Sequence, residues 1–490
     1  MKGFGEQYKT KNKSKKTQPS KEQIINQALQ FHLNGNIPEA TKYYQYCINK
    51  GFDDTRVFSN YAGILRLSSK LKEAAVLLRK AIELNPDFPK AHANLGSILY
   101  DMNKLEDAEL SYLKAIELNP KDPESHSNLG KVLSELGKLQ EAELTCLKAI
   151  ELDPNCVSAY HSLSTLKYSD ENKIWQNQLF SENILNHKKN GEKILIYFAR
   201  SNILHREKNY KESSKFLRLA NQLKLTLHPS NSNFLINKSK ELFVEYIKQE
   251  NNQKKYSKSP ESIFIVGMPR SGSTLLESIL SMNAGVDDLG ECNFLEKSYL
   301  DYKKSDQALT IAERYWKKIK DYKKQSNSTT NKNLYNYLYA GIIAKKIPNA
   351  KIIHCYRNPL DNILSIYRAH FKGNQFSSSL VDAAKVYLDQ EALMTKYKNK
   401  FRSKIYDLNY DLLVSNPKEE IKSLVSWLGW KWENKYLSPH LNTRSVSTAS
   451  KVQVRSPINS KSISGWKNYK DMLQPYIEML TQTEKYRDLL

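Results

Sequence analysis

A 34-residue period dominates the first half of this 490-residue chain and restricts what that half can fold into. Three consecutive copies begin at Val57, Ala91 and Ser125. Alanine recurs at two positions of each copy and proline at a third, in the sets Ala74/Ala108/Ala142, Ala81/Ala115/Ala149 and Pro86/Pro120/Pro154. Each copy predicts a helix, a short turn and a second helix, because alanine allows close helix approach and proline ends the second helix. Stacked pairs of this kind form an α-solenoid with a concave face.

The copies carry Asn-Leu-Gly, a mid-repeat alanine and a terminal Asn-Pro, and so resemble tetratricopeptide repeats. The resemblance is strong over 57–158, and a weaker upstream copy keeps the register at Ala40. A degenerate terminal repeat follows an irregular helical insert near 168–192, which gives a predicted solenoid over 23–230. The resemblance implies a surface that binds a peptide acceptor or a protein partner. The alternative, a solenoid that only caps or dimerises the second half, stays open at this point.

The flanking composition divides the rest of the chain. Residues 1–22 form a basic, low-complexity segment that predicts a disordered tail, and the polar, turn-rich residues 231–260 predict a linker. Within 261–490, buried strands are predicted for three apolar runs, SIFIVG, AKIIHCYR and the start of SKIYDLNYDLL. Helical segments lie between them, so the predicted fold class is α + α/β, a solenoid joined to a three-layer, P-loop-like domain with a central parallel sheet.

The stretch SIFIVGMPRSGSTLLESIL, residues 262–280, predicts a strand, a glycine-containing loop and a helix. Gly267 and Gly272 have the spacing of a phosphate-binding loop, but Ser273 stands where nucleoside-triphosphate hydrolases have lysine. Backbone N–H groups at the helix start would face one anion. The side chains that could add hydrogen bonds to that anion are Arg270, Ser271, Ser273 and Thr274. The loop therefore predicts an anion site and disfavours ATP hydrolysis.

A second phosphate site is predicted by HCYRNPLDNILSIYR. Arg357 lies just past a predicted strand and Ser365 lies on the helix that follows, so the two could hold an isolated phosphate.

Over roughly residues 260–475, these two elements resemble sulfotransferases that use 3′-phosphoadenosine 5′-phosphosulfate (PAPS), close to the tyrosylprotein sulfotransferase-like branch. The resemblance implies PAPS as cofactor, 3′-phosphoadenosine 5′-phosphate as product, and no metal. The residues that it implies for cofactor binding are Pro269, Arg270, Ser271, Gly272, Ser273, Thr274, Arg357 and Ser365.

The resemblance also implies catalytic roles. In VDDLGECNFLEK it places the general base at Glu291, with Asp287 and Asp288 as alternatives. It aligns Lys332 as the cation that stabilises the leaving phosphate, although a solvated lysine stays an open alternative. Arg270 would contribute to the same charge stabilisation.

The C-terminal stretch VSTASKVQVRSPINSKSISGWKNY resembles the family segment that covers the cofactor. Ser450 and Arg455 are its candidate contacts, and Trp466 is a candidate packing anchor. The family's usual basic residue is replaced by Gly465, so that Lys461 or Lys467 would have to supply the charge. His354 lies inside a predicted strand and is interpreted as a core histidine rather than a base.

Composition limits the partners. The chain has 75 Lys+Arg against 52 Asp+Glu, a formal net charge of +23, which favours anionic partners. The charge is scattered and no nucleic-acid motif is present, so no nucleic-acid partner is expected. A scaffold with a degenerate nucleotide domain is the main alternative to an enzyme, and a carbohydrate or small-molecule hydroxyl is the alternative to a protein acceptor. Five cysteines without a C-x-x-C pair and no run of ~18 apolar residues predict a cytoplasmic protein without a transmembrane segment.

Overall fold

The computed structural model describes residues 19–166, 173–248, 259–304, 308–320, 326–371, 376–442, 444, 446, 448 and 450–487. The chain divides into two compact units, Met1–Leu129 and Gly130–Leu490. The division falls inside the predicted solenoid and not near residue 230, so the later helical pairs belong to the same unit as the α/β region.

Paired helices make up the described part of the first unit. Their bounds are Lys21–Leu33 (α1), Ile37–Asn49 (α2), Thr55–Leu67 (α3), Leu71–Leu84 (α4), Pro89–Asp101 (α5), Leu105–Leu118 (α6) and Pro123–Leu136 (α7), the last of which continues into the second unit. The repeat alanines Ala74, Ala81, Ala108 and Ala115 are all buried, as close helix packing requires. The helix–turn–helix prediction is confirmed, including the weaker copy with buried Ala40. Helix α1 already begins at Lys21, and residues 1–18 of the predicted tail lie outside the described residues.

The helical pattern continues well into the second unit. Its helices are Leu139–Leu152 (α8), Val157–Thr165 (α9), Ile174–Phe180 (α10), Asn190–Arg206 (α11), Tyr210–Leu227 (α12) and Ser232–Lys248 (α13), with a 3₁₀ turn at Glu182–Leu185. The linker predicted over 231–260 is wrong for its first part, because α13 buries Leu242 and Tyr246 against the core of the α/β region. The apolar residues of α13 are separated by lysines, so the sequence shows no clear helical pattern there. Residues 167–172 of the predicted insert and 249–258 of the predicted linker lie outside the described residues.

A five-stranded parallel sheet forms the centre of the α/β region in the described residues. The strands are Glu261–Gly267 (β1), Val286–Asp288 (β2), Ser328–Asn331 (β3), Ala350–Tyr356 (β4) and Ile405–Asn409 (β5), in the order β2-β3-β1-β4-β5. The three predicted strands are confirmed as β1, β4 and β5. Strands β2 and β3 were not predicted, because both are short and polar.

Helices cover both faces of the sheet. They are Ser273–Leu280 (α14), Phe294–Lys304 (α15), Ile311–Ile319 (α16), Ala340–Lys346 (α17), Pro359–Arg368 (α18), Leu380–Lys400 (α19), Tyr410–Ser415 (α20), Pro417–Leu428 (α21) and Lys470–Thr481 (α22), with 3₁₀ turns at Leu334–Tyr339, Asn434–Leu437, Pro439–Leu441, Gln453–Arg455, Gly465–Tyr469 and Glu484–Tyr486. Successive β1 side chains enter different clusters: Ile263 and Ile265 join one, and Phe264 and Val266 join the other. Alternation of this kind confirms the predicted three-layer architecture.

The Lys- and Tyr-rich segment 300–330 contains parts of α15 and β3 and all of α16. Tyr315 on α16 is fully buried in the same cluster as Phe264, so this helix packs on the sheet. Residues 305–307 and 321–325 of the segment lie outside the described residues.

Candidate active site

The parallel sheet brings the predicted site residues to one edge. Strand β1 pairs with β3 on one side and β4 on the other, and every pairing is parallel. The segments that follow the strands therefore leave from the same edge, where open α/β sheets bind ligands. Arg270 follows β1, Lys332 follows β3 and Arg357 follows β4.

The loop after β1 packs closely against β4 and Tyr410, and this packing requires glycine at two positions. Gly267 has φ +142°, and a Cβ there would lie 2.2 Å from the carbonyl oxygen of Cys355 on β4. Gly272 has φ +93°, and a Cβ there would lie 2.1 Å from ring carbon Cδ2 of Tyr410. A side chain at either position would displace the loop or the group that it contacts.

The same loop supplies hydrogen-bond donors that fit an anion. Ser271, Ser273 and Thr274 are all buried, and no side chain of the described residues caps the start of α14. The Ser271 hydroxyl has no hydrogen-bond partner among the described residues. A buried, unpaired hydroxyl is costly, and an anion at the helix start would accept its hydrogen bond. The donor set thus fits a phosphate or phosphosulfate.

Arg270 joins three segments that are distant in sequence. Its backbone adopts the left-handed φ of +68°, which is rare outside glycine. Its Nε donates to the Ser365 hydroxyl at 3.0 Å, and its Nη1 donates to the Ser450 hydroxyl at 2.5 Å. Nη2 donates to Gln453 at 3.3 Å. Three of the residues predicted from separate motifs are therefore in direct contact. Pro269 lies beside them, where its carbonyl accepts from Asn362 at 3.0 Å.

Positive charge accumulates around Arg270. Burial, with Arg357 and Arg368 nearby, lowers the pKa of Arg270 to about 10. Arg357 is buried; its Nη2 donates to the Ser462 carbonyl at 2.8 Å, and its Nε has no hydrogen-bond partner among the described residues. The nearest Asp361 oxygen lies 3.8 Å away. A bound anion would offset the repulsion that disfavours these charges.

Glu291 and Lys332 form an ion pair at the same edge of the sheet. The backbone N–H of Lys332 donates to the Gly290 carbonyl at 2.8 Å, which extends the hydrogen bonding between β2 and β3 by one step. That step places Lys332 Nζ 2.7 Å from Glu291 Oε1. The lysine side chain is 1% exposed and the glutamate side chain is 55% exposed. The alternative of a solvated lysine is therefore wrong, because Lys332 is buried.

The two alternative bases have other contacts. Asp287 accepts a hydrogen bond from the Ser326 N–H at 3.3 Å, and Asp288 lies 2.6 Å from Arg444 Nη1. Neither is the carboxylate beside Lys332. The sequence analysis did not single out Glu277, a buried glutamate on α14 that lies 3.9 Å from Lys332 Nζ. The sequence does contain a signal for Glu277, because it is the one charged residue in the apolar run STLLESIL.

Arg455 contacts backbone carbonyls of its own segment and Gly137. Its Nη1 and Nη2 donate to the carbonyls of Asn442 and Arg444, and its guanidinium lies against Gly137. A Cβ on Gly137 would be 2.7 Å from Arg455 Nε, so only glycine permits the contact. The Nε of Arg455 has no hydrogen-bond partner among the described residues, and a cofactor contact of this residue stays a prediction.

The remaining predictions concern residues around the site. The Trp466 side chain is buried in the core, and the backbone N–H of Trp466 donates to Asp361 Oδ1 at 2.9 Å, which confirms its anchoring role. Lys461 and Lys467 are exposed, and a cofactor contact from either stays a prediction. His354 is fully buried between Glu391 and Asp407, which confirms it as a core residue.

Two regions of the chain match models of known protein families. Residues 260–434 match the sulfotransferase family, and residues 64–103, 96–137 and 123–156 match tetratricopeptide repeats. The chain carries tetratricopeptide repeats and a sulfotransferase-family domain. Among the described residues, no cluster of His, Cys, Asp or Glu could hold a metal ion, and no helix is long and apolar enough to cross a bilayer.

Two curated relatives are similar to parts of the chain. An uncharacterised protein of Aquifex aeolicus (strain VF5) is 30% identical over 328 residues, which are 59% of this chain and 43% of the relative. The chain thus spans less than half of that relative's length. A candidate protein-tyrosine sulfotransferase of Caenorhabditis briggsae is 23% identical over 42% of this chain and 80% of the relative.

Two solved structures resemble parts of the chain. A sulfotransferase domain from the curacin biosynthetic pathway is 17% identical over 45% of this chain and 98% of its own, with a TM-score of 0.33. YrrB, a TPR protein with an unusual peptide-binding site, is 18% identical over 39% of this chain and 92% of its own, with a TM-score of 0.30. Scores this low carry no argument about fold or function.

Proposed function

We propose that this protein is a sulfotransferase that moves a sulfuryl group from PAPS to an acceptor hydroxyl. The observation that carries the proposal is the contact of Arg270 with both Ser365 and Ser450, because it joins three segments that resemble PAPS-binding motifs. The family match of residues 260–434 supports the reaction class. PAPS, the acceptor and the roles of single residues are parts of the proposal.

The donor groups around the loop would bind the two charged ends of PAPS. Ser271, Ser273, Thr274 and the first N–H groups of α14 would hold the 5′-phosphosulfate. Arg357 and Ser365 would hold the 3′-phosphate, with Arg270 between the two groups. PAPS, when bound, supplies a sulfuryl group attached to a phosphate leaving group. The protein would then contribute by positioning the two reactants and by stabilising the charge that develops on the leaving phosphate.

Glu291 would take the proton from the acceptor hydroxyl. Its carboxylate is half exposed and so accessible to an acceptor, and one of its oxygens is paired with Lys332. Lys332 would hold its positive charge where negative charge develops on the leaving phosphate. Because its ammonium is buried, this interaction is stronger than it would be in water.

The acceptor is proposed as a tyrosine hydroxyl on a protein or peptide, with the repeats recruiting the acceptor or a partner. The Caenorhabditis briggsae relative carries that activity in its name, and tetratricopeptide repeats are generally interaction modules. A carbohydrate or small-molecule hydroxyl is the alternative acceptor.

Turnover of sulfur-35-labelled PAPS tests the proposal, with tyrosine peptides, oligosaccharides and 4-nitrophenol as separate acceptors. Label should appear in one acceptor class, and Lys332→Met should remove it while a melting curve shows a folded protein. Binding of the product nucleotide without transfer to any acceptor would favour the scaffold alternative.

A further inference from the structure

Glu277 is buried beside the proposed catalytic pair. It lies on α14, one turn after the phosphate-binding loop, and is 1% exposed. Its Oε2 is 3.9 Å from Lys332 Nζ and 3.1 Å from Arg444 Nη1. Its Oε1 is buried without a hydrogen-bond partner among the described residues.

Charges of opposite sign alternate along this part of the site. Glu291 pairs with Lys332, Lys332 faces Glu277, Glu277 pairs with Arg444, and Arg444 pairs with Asp288 at 2.6 Å. Lys332 thus has two carboxylates, of which one is half exposed and the other is buried. Arg444 also has two, so the loss of Glu277 would leave it paired.

The proposed reaction changes the charge on only one of these carboxylates. When Glu291 accepts the acceptor's proton, it becomes neutral and no longer balances the ammonium of Lys332. A buried ammonium without a counterion is strongly disfavoured and would tend to move or lose its own proton. Either event would remove the positive charge at the moment when the leaving phosphate needs it.

We infer that Glu277 is a positioning residue that keeps Lys332 charged and in place while Glu291 is protonated. The inference rests on the proposed roles of Glu291 and Lys332 but needs no contact between Glu277 and the cofactor or acceptor. The contacts of Glu277 with Lys332 and Arg444 hold its carboxylate in place. Its unpaired Oε1 could accept a hydrogen bond from the Lys332 ammonium. Glu277 thereby acts as the second counterion of Lys332.

A set of substitutions tests this without cofactor or acceptor. Glu291→Gln imitates the protonated glutamate, and Glu277→Gln removes the second counterion at constant shape. We expect each single change to lower the Tm slightly, and the double change to lower it by roughly 5 °C more than their sum. In a Lys332→Met background, the excess should vanish, because no buried ammonium remains.

The matched control is Glu261→Gln. Glu261 pairs with Lys351 at 2.9 Å at the start of β1, the opposite end of that strand from the phosphate-binding loop. Combined with Glu291→Gln, it should give an additive change in Tm. A Glu277→Gln and Glu291→Gln pair that is equally additive would overturn the inference.

Kinetics give the second readout. Glu277→Gln should lower kcat about tenfold or more and leave the KM for PAPS within about twofold, and Glu277→Asp should restore part of the loss. A KM that rises with kcat unchanged would contradict a positioning role. Failure of the wild type to bind 3′-phosphoadenosine 5′-phosphate would instead contradict the proposed function, since the Tm comparison needs no ligand.

Discussion

Lys332 Nζ lies 2.7 Å from Glu291 Oε1, although the two residues are 41 positions apart in the chain. Parallel pairing of β2 with β3 creates the contact, because Leu289 donates to Thr330 and Lys332 donates to Gly290 one step further along. Two side chains of opposite charge are thereby fixed at the edge of the sheet where the loop after β1 begins. The arrangement combines a proposed base with the cation proposed to stabilise the leaving group.

Glu291→Gln should reduce turnover by about 10²- to 10⁴-fold, the range expected for loss of a general base. Binding of 3′-phosphoadenosine 5′-phosphate should stay near the wild-type value, because Glu291 is proposed to contact the acceptor. Single-turnover transfer of labelled sulfuryl groups and calorimetry separate the two effects. Full turnover in the variant would contradict the proposed role of Glu291 and would mean that another group is the base.

Gly272→Ala should abolish binding of the product nucleotide. The new Cβ would meet the Tyr410 ring at 2.1 Å, and the φ of +93° adds backbone strain of about 1–3 kcal/mol. Calorimetric titration and a melting curve measure both effects. The control is Gly63→Ala, inside helix α3 with no atom near the new Cβ, which should leave binding unchanged and stabilise the helix by about 0.5–1 kcal/mol. Normal binding by Gly272→Ala would mean that this loop does not form the cofactor site.

Gly137→Ala should weaken binding of the product nucleotide severalfold. The Cβ would displace Arg455, whose two Nη atoms donate to the carbonyls of Asn442 and Arg444, ahead of Ser450 in the chain. Ser450 contacts Arg270, so displacement of Arg455 should reach the proposed cofactor site. Gly35→Ala is the matched control, since Gly35 also has a positive φ but no atom near its Cβ. Equal affinities for the two variants would show that the contact with Gly137 does not affect the site.

Stability should be greatest at mildly acidic pH because of the network around His354. Burial lowers the pKa of His354, but hydrogen bonds that its ring donates to the carboxylates of Asp407 and Glu391 outweigh this effect and raise that pKa above 6.5. Its contribution is present below pH 6.5 and is lost as pH rises through the folded-state pKa. Burial opposes ionisation of Glu391, but His354 and Lys485 lower its pKa from 4.5 to about 2, so its contribution is lost as pH falls below 4.5.

His354→Gln should therefore cost most between pH 4.5 and 6.5, by about 3 kcal/mol in the free energy of unfolding. The difference from wild type should shrink at about pH 9, where the histidine of the wild type is neutral. Urea denaturation at both pH values measures it, and a difference that does not change with pH would contradict a charged His354.

Much of the architecture was predictable from periodicity. The 34-residue repeat, the strands β1, β4 and β5 and the loop with Gly267 and Gly272 all follow from apolar patterns and glycine spacing. Strands β2 and β3 were not predictable in this way, because short polar strands show no apolar pattern. They form because they hydrogen-bond to neighbouring strands of the sheet. Helix α13 was mistaken for a linker because its buried residues are separated by lysines.

The site was predictable where chemistry and local sequence coincide. Arg270, Ser365 and Ser450 were assigned from motifs, and the structure places them in contact. Arg455 was assigned from the resemblance of its segment to the family segment that covers the cofactor. Its partners in the structure are backbone carbonyls and Gly137, which no local pattern reveals. Glu277 was overlooked because its role depends on Lys332 and Arg444, both distant in sequence.

Calorimetric titration with 3′-phosphoadenosine 5′-phosphate tests the central claim most directly. The wild type and the control Arg402→Ala, an exposed arginine paired with Asp407, should bind it equally, with no response to ATP. Arg270→Ala and Arg357→Ala should each weaken binding at least about tenfold, the loss of roughly one charge-assisted hydrogen bond. No binding by the wild type, or equal binding by all four proteins, would contradict a PAPS site at this edge of the sheet.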